Sequence, residues 1–167
     1  MRCGVMTELM KTDNTIDTAQ DLVKKSMYAS MAAGLVPVPV FDFLAVSGIQ
    51  LEMLRRLSHI YGVTFMEGKG KNALAALIGG SFPTSVTPLV VSLVKMVPII
   101  GSTIGAISLP LISGASTYAV GKVFIQHFES GGTFLTFDPE KVRTYYAEQL
   151  KEGKAVAAAV DTKKATA

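Results

Sequence analysis

Residues 72–121 form a stretch of fifty residues with a single charged side chain, Lys95. At the chain's overall charged content of 17%, about eight or nine would stand there. So long a block must be kept from water, by lipid or by other helices. Lys95 divides it into uncharged runs of 23 and 26 residues, each above the roughly 20 apolar residues that a helix needs to cross the hydrocarbon layer.

Prolines and glycines set the grain of the block. Gly79, Gly80, Pro83 and Pro88 interrupt the first run, which reads as a short helix over 72–78, a break, and a second helix opening at Thr87-Pro88 and ending before Pro98. The second run predicts a longer helix, from about 99 to 128, kinked at Pro110. Insertion of either is marginal. Ile104, Ile107, Leu109, Leu111, Ile112 and Val120 together favour lipid by about 2–4 kcal/mol, and the serines, threonines, glycines and proline among them offset much of that. A paired hairpin over about 72–121 is the better reading, with Lys95 in its turn and Lys69, Lys71 and Lys122 at its open side. The positive-inside rule then puts both termini in the cytoplasm. Gly101 and Gly105 form a GxxxG spacing, and Ser113, Thr117 and Gly121 continue a small residue at every fourth position. Such faces pair helices in lipid and equally suit a tight crossing in a water-soluble core.

The flanks predict amphipathic helices, hence an all-α helical bundle with a central hydrophobic hairpin. Asp17 and Gln20 resemble a capping box that opens the first helix after an N-terminal segment 1–15. It stops at Val36-Pro37-Val38-Pro39, because a residue before proline avoids the helical region. Pro39 opens the next helix, which carries Met53, Leu54, Leu57, Ile60 and Tyr61 on its inner stripe and ends at Gly62. A last helix starts at Asp138-Pro139 and ends at Gly153, so the expected helical domain covers 16–152 and a mobile tail 153–167.

The inventory for chemistry is thin. His59 and His127 stand 68 positions apart without further ligands at metal spacing, and Cys3 is the only cysteine. No Ser-His-Asp or Cys-His arrangement and no phosphate-loop motif can be assembled. Glu67-Gly68-Lys69-Gly70-Lys71 lacks a preceding strand and reads as a solvated linker. The net charge of +3 is scattered in pairs rather than gathered into a stripe, which argues against nucleic acid. Asp42 falls in the first turn of its helix, where the dipole stabilises a carboxylate. Gln50, among Ile49, Leu51 and Met53, is a candidate buried hydrogen-bond node. Tyr118 and Lys122, one turn apart, suit an interfacial anchor pair.

Two stretches carry a family resemblance. Gly34-Leu35-Val36-Pro37-Val38-Pro39 leads into Asp42, Gln50, Met53 and Ile60-Tyr61-Gly62, and Thr117-Tyr118-Ala119-Val120-Gly121-Lys122 precedes Phe128, Glu129 and Gly131. This order resembles the YcjF-like bacterial family of unknown function, over residues 16–131. The resemblance implies a helical, membrane-associated module linked to small GTPases, with Pro37, Pro39, Asp42, Gln50, Tyr61, Gly62, Tyr118, Gly121 and Lys122 as its motif residues. The GTPase itself is absent from this sequence. The expectation is therefore a non-enzymatic scaffold or partner module without cofactor or metal, forming homo-oligomers at the bacterial cytoplasmic membrane. An oligomeric pore or transport component and a water-soluble oligomeric structural protein are the alternatives.

Overall fold

A computed structural model describes the backbone of residues 2–35, 39–80 and 104–165, and the side chains of 12–35, 44–79 and 109–160. Five helices and no strand occur among them: α1 (Arg2–Ala33), α2 (Pro39–Ile60), α3 (Glu67–Gly80), α4 (Ile104–Glu129) and α5 (Pro139–Ala165). The chain is an all-α helical bundle. The short helix expected over 72–78 falls within α3, while residues 81–103 of the expected hairpin, with Gly101, lie outside the described residues, as do Pro37, the side chain of Asp42 and the surroundings of Gly105.

The helix ends follow local chemistry. Pro39 and Pro139 occupy first helical positions, where a missing N–H costs nothing, and the Asp138 carboxylate accepts from the Glu140 N–H at 3.1 Å. α2 and α4 close with the same glycine motif. Gly62 (φ 65°) and Gly131 (φ 77°) adopt the left-handed conformation. The following N–H groups reach back, Val63 to the Ser58 carbonyl at 2.7 Å and Gly132 to the His127 carbonyl at 2.9 Å.

Three sequence expectations are corrected. α1 begins at Arg2, so Asp17 and Gln20 lie mid-helix. Nothing in 5–16 breaks a helix, and the Thr18 hydroxyl donates to the Asn14 carbonyl at 2.7 Å. The glycine-rich 67–71 segment is the opening of α3: Lys71 pairs with Glu67 at 2.6 Å, and Gly70 is buried against Leu51 and Phe65. α4 is described from Ile104 on, and its expected start near 99 lies outside the described residues. α5 runs through Gly153 to Ala165. Gly153 is buried, and a Cβ there would stand 2.9 Å from the Ala115 carbonyl oxygen. It marks a helix crossing, not a helix end, and beyond it Ala157 is fully buried with Val156 and Val160 against the core.

α4 lies at the centre, antiparallel to α1 on one side and α5 on another, with α2 on a third. Its buried residues include Ala115, Thr117, Ala119, Val120, Val123 and Phe124, each at most 1% exposed. They meet Ala19, Val23 and Met27 of α1 and Met53, Leu54 and Leu57 of α2. The α1 contact depends on glycine: a Cβ at Gly121 would overlap the isopropyl group of Val23, and one at Gly114 would meet Met31. At the far end Phe124 stacks on Phe137 with centroids 4.6 Å apart, and Phe128 and Phe134 close around it.

The two kinds of helical glycine predict opposite outcomes. Val23 is β-branched and buried, so it cannot swing away from an added methyl. Gly121→Ala is expected to destabilise by about 1–3 kcal/mol. Gly48 has open space around it, and Gly48→Ala should stabilise by about 0.5–1 kcal/mol through helix propensity. Chemical denaturation of the two variants beside the parent measures both, and effects of the same sign would contradict this packing.

Candidate functional site

The centre of the bundle is polar where four helices meet. Gln50 of α2 is 1% exposed and Thr117 of α4 fully buried. The Gln50 Nε2 donates to Thr117 Oγ1 at 3.1 Å and to Ser116 Oγ at 3.4 Å. Thr117 Oγ1 lies 2.8 Å from the Ser30 hydroxyl of α1 and 2.9 Å from the Ser113 carbonyl oxygen. A threonine has one hydroxyl hydrogen, so only one of these two contacts takes it at a time. Donation to Ser113 leaves Ser30 to donate in return. Ser116 Oγ and the Tyr146 hydroxyl of α5 sit 3.3 Å apart, and burial holds the Tyr146 phenol above its ordinary pKa, against a lowering by the Ser116 hydrogen bond. Gln50 Oε1 is buried without a hydrogen-bond partner.

Two phenol–carboxylate contacts tie the outer helices. The Tyr118 hydroxyl donates to Glu152 Oε1 at 2.8 Å. Burial raises its pKa first, and the Glu152 carboxylate adds to the rise. Lys122 Nζ stands 5.5 Å from the centroid of the same ring. The pair that reads in sequence as an interfacial anchor thus packs within the bundle, with Tyr118 only 5% exposed. The Tyr61 hydroxyl donates to Glu129 Oε1 at 2.9 Å, linking the end of α2 to the end of α4. Its pKa is likewise raised by burial and then by Glu129.

The structure therefore joins Gln50, Ser113 and Thr117 in one network and places Gly121 at the α1 contact. Tyr61, Gly62, Tyr118 and Lys122 stand elsewhere. Ser30, Ser116, Tyr146, Glu152 and Gly114 take part without having been singled out from sequence; a polar residue on an apolar stripe, as at Ser30, was the available signal. No group here is an activated nucleophile or an acid–base pair. Among the described residues no set of three or more His, Cys, Asp and Glu could hold a metal ion. His59 is exposed, while the His127 ring Nε2 sits 2.9 Å from the Thr133 carbonyl oxygen and fastens the turn after α4. The α1–α2 clefts hold about 500 Å³ each, with Lys25 and Arg56 on both rims. The Arg56 guanidinium already binds Glu52 at 2.9 Å and holds its carboxyl below the usual range.

The network has one indispensable member. Gln50 leaves its oxygen unpaired, and Thr117 keeps Ser30 and Ser113 without it, so Gln50→Met should change stability by less than about 1.5 kcal/mol. Thr117→Val strips partners from both Gln50 and Ser30 and should cost about 2–4 kcal/mol. A larger loss for Gln50→Met in urea titrations would refute this ranking. The tyrosines set an alkaline limit. A phenol whose folded pKa is raised stabilises fully below the unfolded value of about 10, and that contribution is lost as pH rises through the folded value. Stability should be flat up to about pH 9 and fall above 10. Tyr118→Phe should lessen the fall by up to about 1.4 kcal/mol per pH unit, as denaturation midpoints at stepped pH would register.

Comparison with known proteins places this architecture. The chain is 42% identical over 150 residues to magnetosome membrane protein 22 of Magnetospirillum gryphiswaldense, an alignment covering 89% of this chain and 77% of that protein. No solved structure matches. The model of a family described as a domain of unknown function (DUF697) matches residues 6–155. The chain belongs to that family.

Proposed function

We propose that this protein is a non-enzymatic, membrane-associated helical module that serves as a scaffold or partner protein. The carrying observation is the 72–121 block, whose C-terminal part forms the core helix of the bundle. The bundle leaves Leu109 and Ile112 of that helix 45% and 51% exposed, at the end from which residues 81–103 depart. A 23-residue connection holding one charge, Lys95, is costly to leave in water. The relative's description as a membrane protein agrees with this reading. No helix among the described residues is long and apolar enough to cross a membrane, so attachment rests on the bundle end and on the residues that leave it. The bacterial cytoplasmic membrane is the proposed location, with both termini on the cytoplasmic side, where Lys122 would meet anionic headgroups.

A small GTPase is the proposed partner class, on the sequence resemblance alone, and homo-oligomers are the proposed assembly. The pore reading makes a different demand, since a pore must pass solute. In a flotation assay with vesicles of phosphatidylcholine and phosphatidylglycerol, the protein is expected to float with lipid and to resist carbonate extraction, without releasing an entrapped dye. Recovery in the unfloated fraction would sink the membrane reading, and dye release would favour the pore.

A further inference from the structure

The α1–α2 corner repeats, on a smaller scale, the property of the 72–121 block. Between Lys25 and Glu52 the sequence holds one charged residue, Asp42. Leu35 and Leu44, either side of the turn, are 61% and 62% exposed, and Ala32 and Ala45 beside them are exposed as well. The backbone of Gly34 packs on Pro110, a Cβ there standing 3.0 Å from the proline Cα. The exposed Leu109 and Ile112 of α4 therefore stand at the same end.

A ring of cations marks the base of this end. Lys24 and Lys25 on α1 and Arg55 and Arg56 on α2 are exposed, the two arginines sharing Glu52, so the level carries a net positive charge. Lys122 of α4 belongs to the same level, because its neighbour Gly121 lies against Val23. Tyr28, one turn above Lys24, is 46% exposed, the side chain favoured at a membrane–water interface. At 1.5 Å per residue, Lys25 to Gly34 is about 14 Å and Glu52 back to Pro39 about 20 Å. Half of a hydrocarbon layer is about 15 Å. The height of the uncharged end thus fits a single leaflet.

We infer that the α1–α2 corner, together with Leu109 and Ile112, embeds in one leaflet of an anionic bilayer, with Lys24, Lys25, Arg55, Arg56 and Lys122 at the headgroups. This rests on the membrane reading above and adds a contact surface outside the 72–121 block. The lipid surface is the occupant because a cationic ring around an apolar cap complements an anionic interface over an apolar interior. Asp42 falls in the first turn of α2. α5 limits the tilt: Asp161, Lys163 and Lys164 stand in its last turns, so the α1–α2 corner goes deepest and the α5 end stays at the headgroups.

The test uses the full chain with Cys3→Ser and one of Leu35→Cys, Leu44→Cys or Leu135→Cys, each carrying an environment-sensitive fluorophore. Leu135 is 67% exposed at the opposite end. With phosphatidylcholine–phosphatidylglycerol vesicles, labels at 35 and 44 should shift to the blue and be quenched by chain-brominated lipid, while the label at 135 should not. Leu35→Lys with Leu44→Lys should weaken vesicle binding at least about tenfold without altering the thermal unfolding of the unbound protein. Water-exposed labels at 35 and 44 in a protein that still floats would overturn this inference and leave the membrane reading standing. Failure of the parent chain to float would overturn both. Concentration-dependent burial of the labels without lipid would assign the corner to a second copy instead and overturn the lipid contact.

Discussion

The fold depends on hiding α4, a helix with hardly a polar side. From 109 to 128 it carries one charge, Lys122, whose ammonium lies over the Tyr118 ring. A helix apolar on all sides needs cover on all sides, and α1, α2 and α5 provide it. Glycine sets how close they come. Gly114 and Gly121 bring α1 down onto α4 through Met31 and Val23, and Gly153 lets the α5 backbone ride over the Ala115 carbonyl. Close approach matters because dispersion falls steeply with separation, so a wider gap would forfeit contacts along the whole seam.

Apolar packing alone leaves the rotation of a uniformly apolar helix poorly defined, and the buried polar network supplies what packing does not. Thr117 is reached from α1 by Ser30 and from α2 by Gln50, and Ser116 next to it is reached from α5 by Tyr146. Turning α4 would break several of these contacts at once and strand polar atoms away from water, which costs more than the bonds themselves contribute. The outer phenol–carboxylate contacts add a second fix. Tyr118 to Glu152 sets the height of α5, and Tyr61 to Glu129 that of α2. All these groups hold helices in register.

What was legible in the sequence was local. Pro39, Gly62, Asp138 and Pro139 declare helix ends because a cap acts within a few residues of itself, and the stripe of Met53, Leu54 and Leu57 declares a buried face by period alone. What was hidden was tertiary. Gly153 looks like a helix end until Ala115 is seen against it, and Asp17 resembles a cap although nothing before it stops the helix. Gly70 looks like linker until Leu51 and Phe65 close around it. Gln50 stood out as a polar residue in an apolar run. Its partner Ser116 and the Tyr146 hydroxyl beside that serine did not, since hydroxyls are ordinary on a helix until something buries them. Tyr118 and Lys122 show the limit most clearly: their spacing suits a bilayer interface, and Glu152, 34 residues on, takes the phenol instead.

The distribution of charge along the bundle bears on the membrane contact proposed above. Ion pairs cluster at the end where α2 meets α3 and where α4 turns into α5: Glu67 with Lys71, Asp138 with Lys141, and Glu140 with Arg143. Exposed pairs of this kind add little stability, about 0–1 kcal/mol each, so their value lies in keeping that end wet. The opposite end has none of them among the described residues and exposes leucine and isoleucine. A bundle stabilised by its interior has no need of this asymmetry, because Gly121, Thr117 and Phe124 would pack equally well under a uniformly charged surface. The polarity is therefore separate from folding, and in the proposed reading it gives the molecule a direction: one end to hold in the aqueous phase and present to a partner, the other to bury.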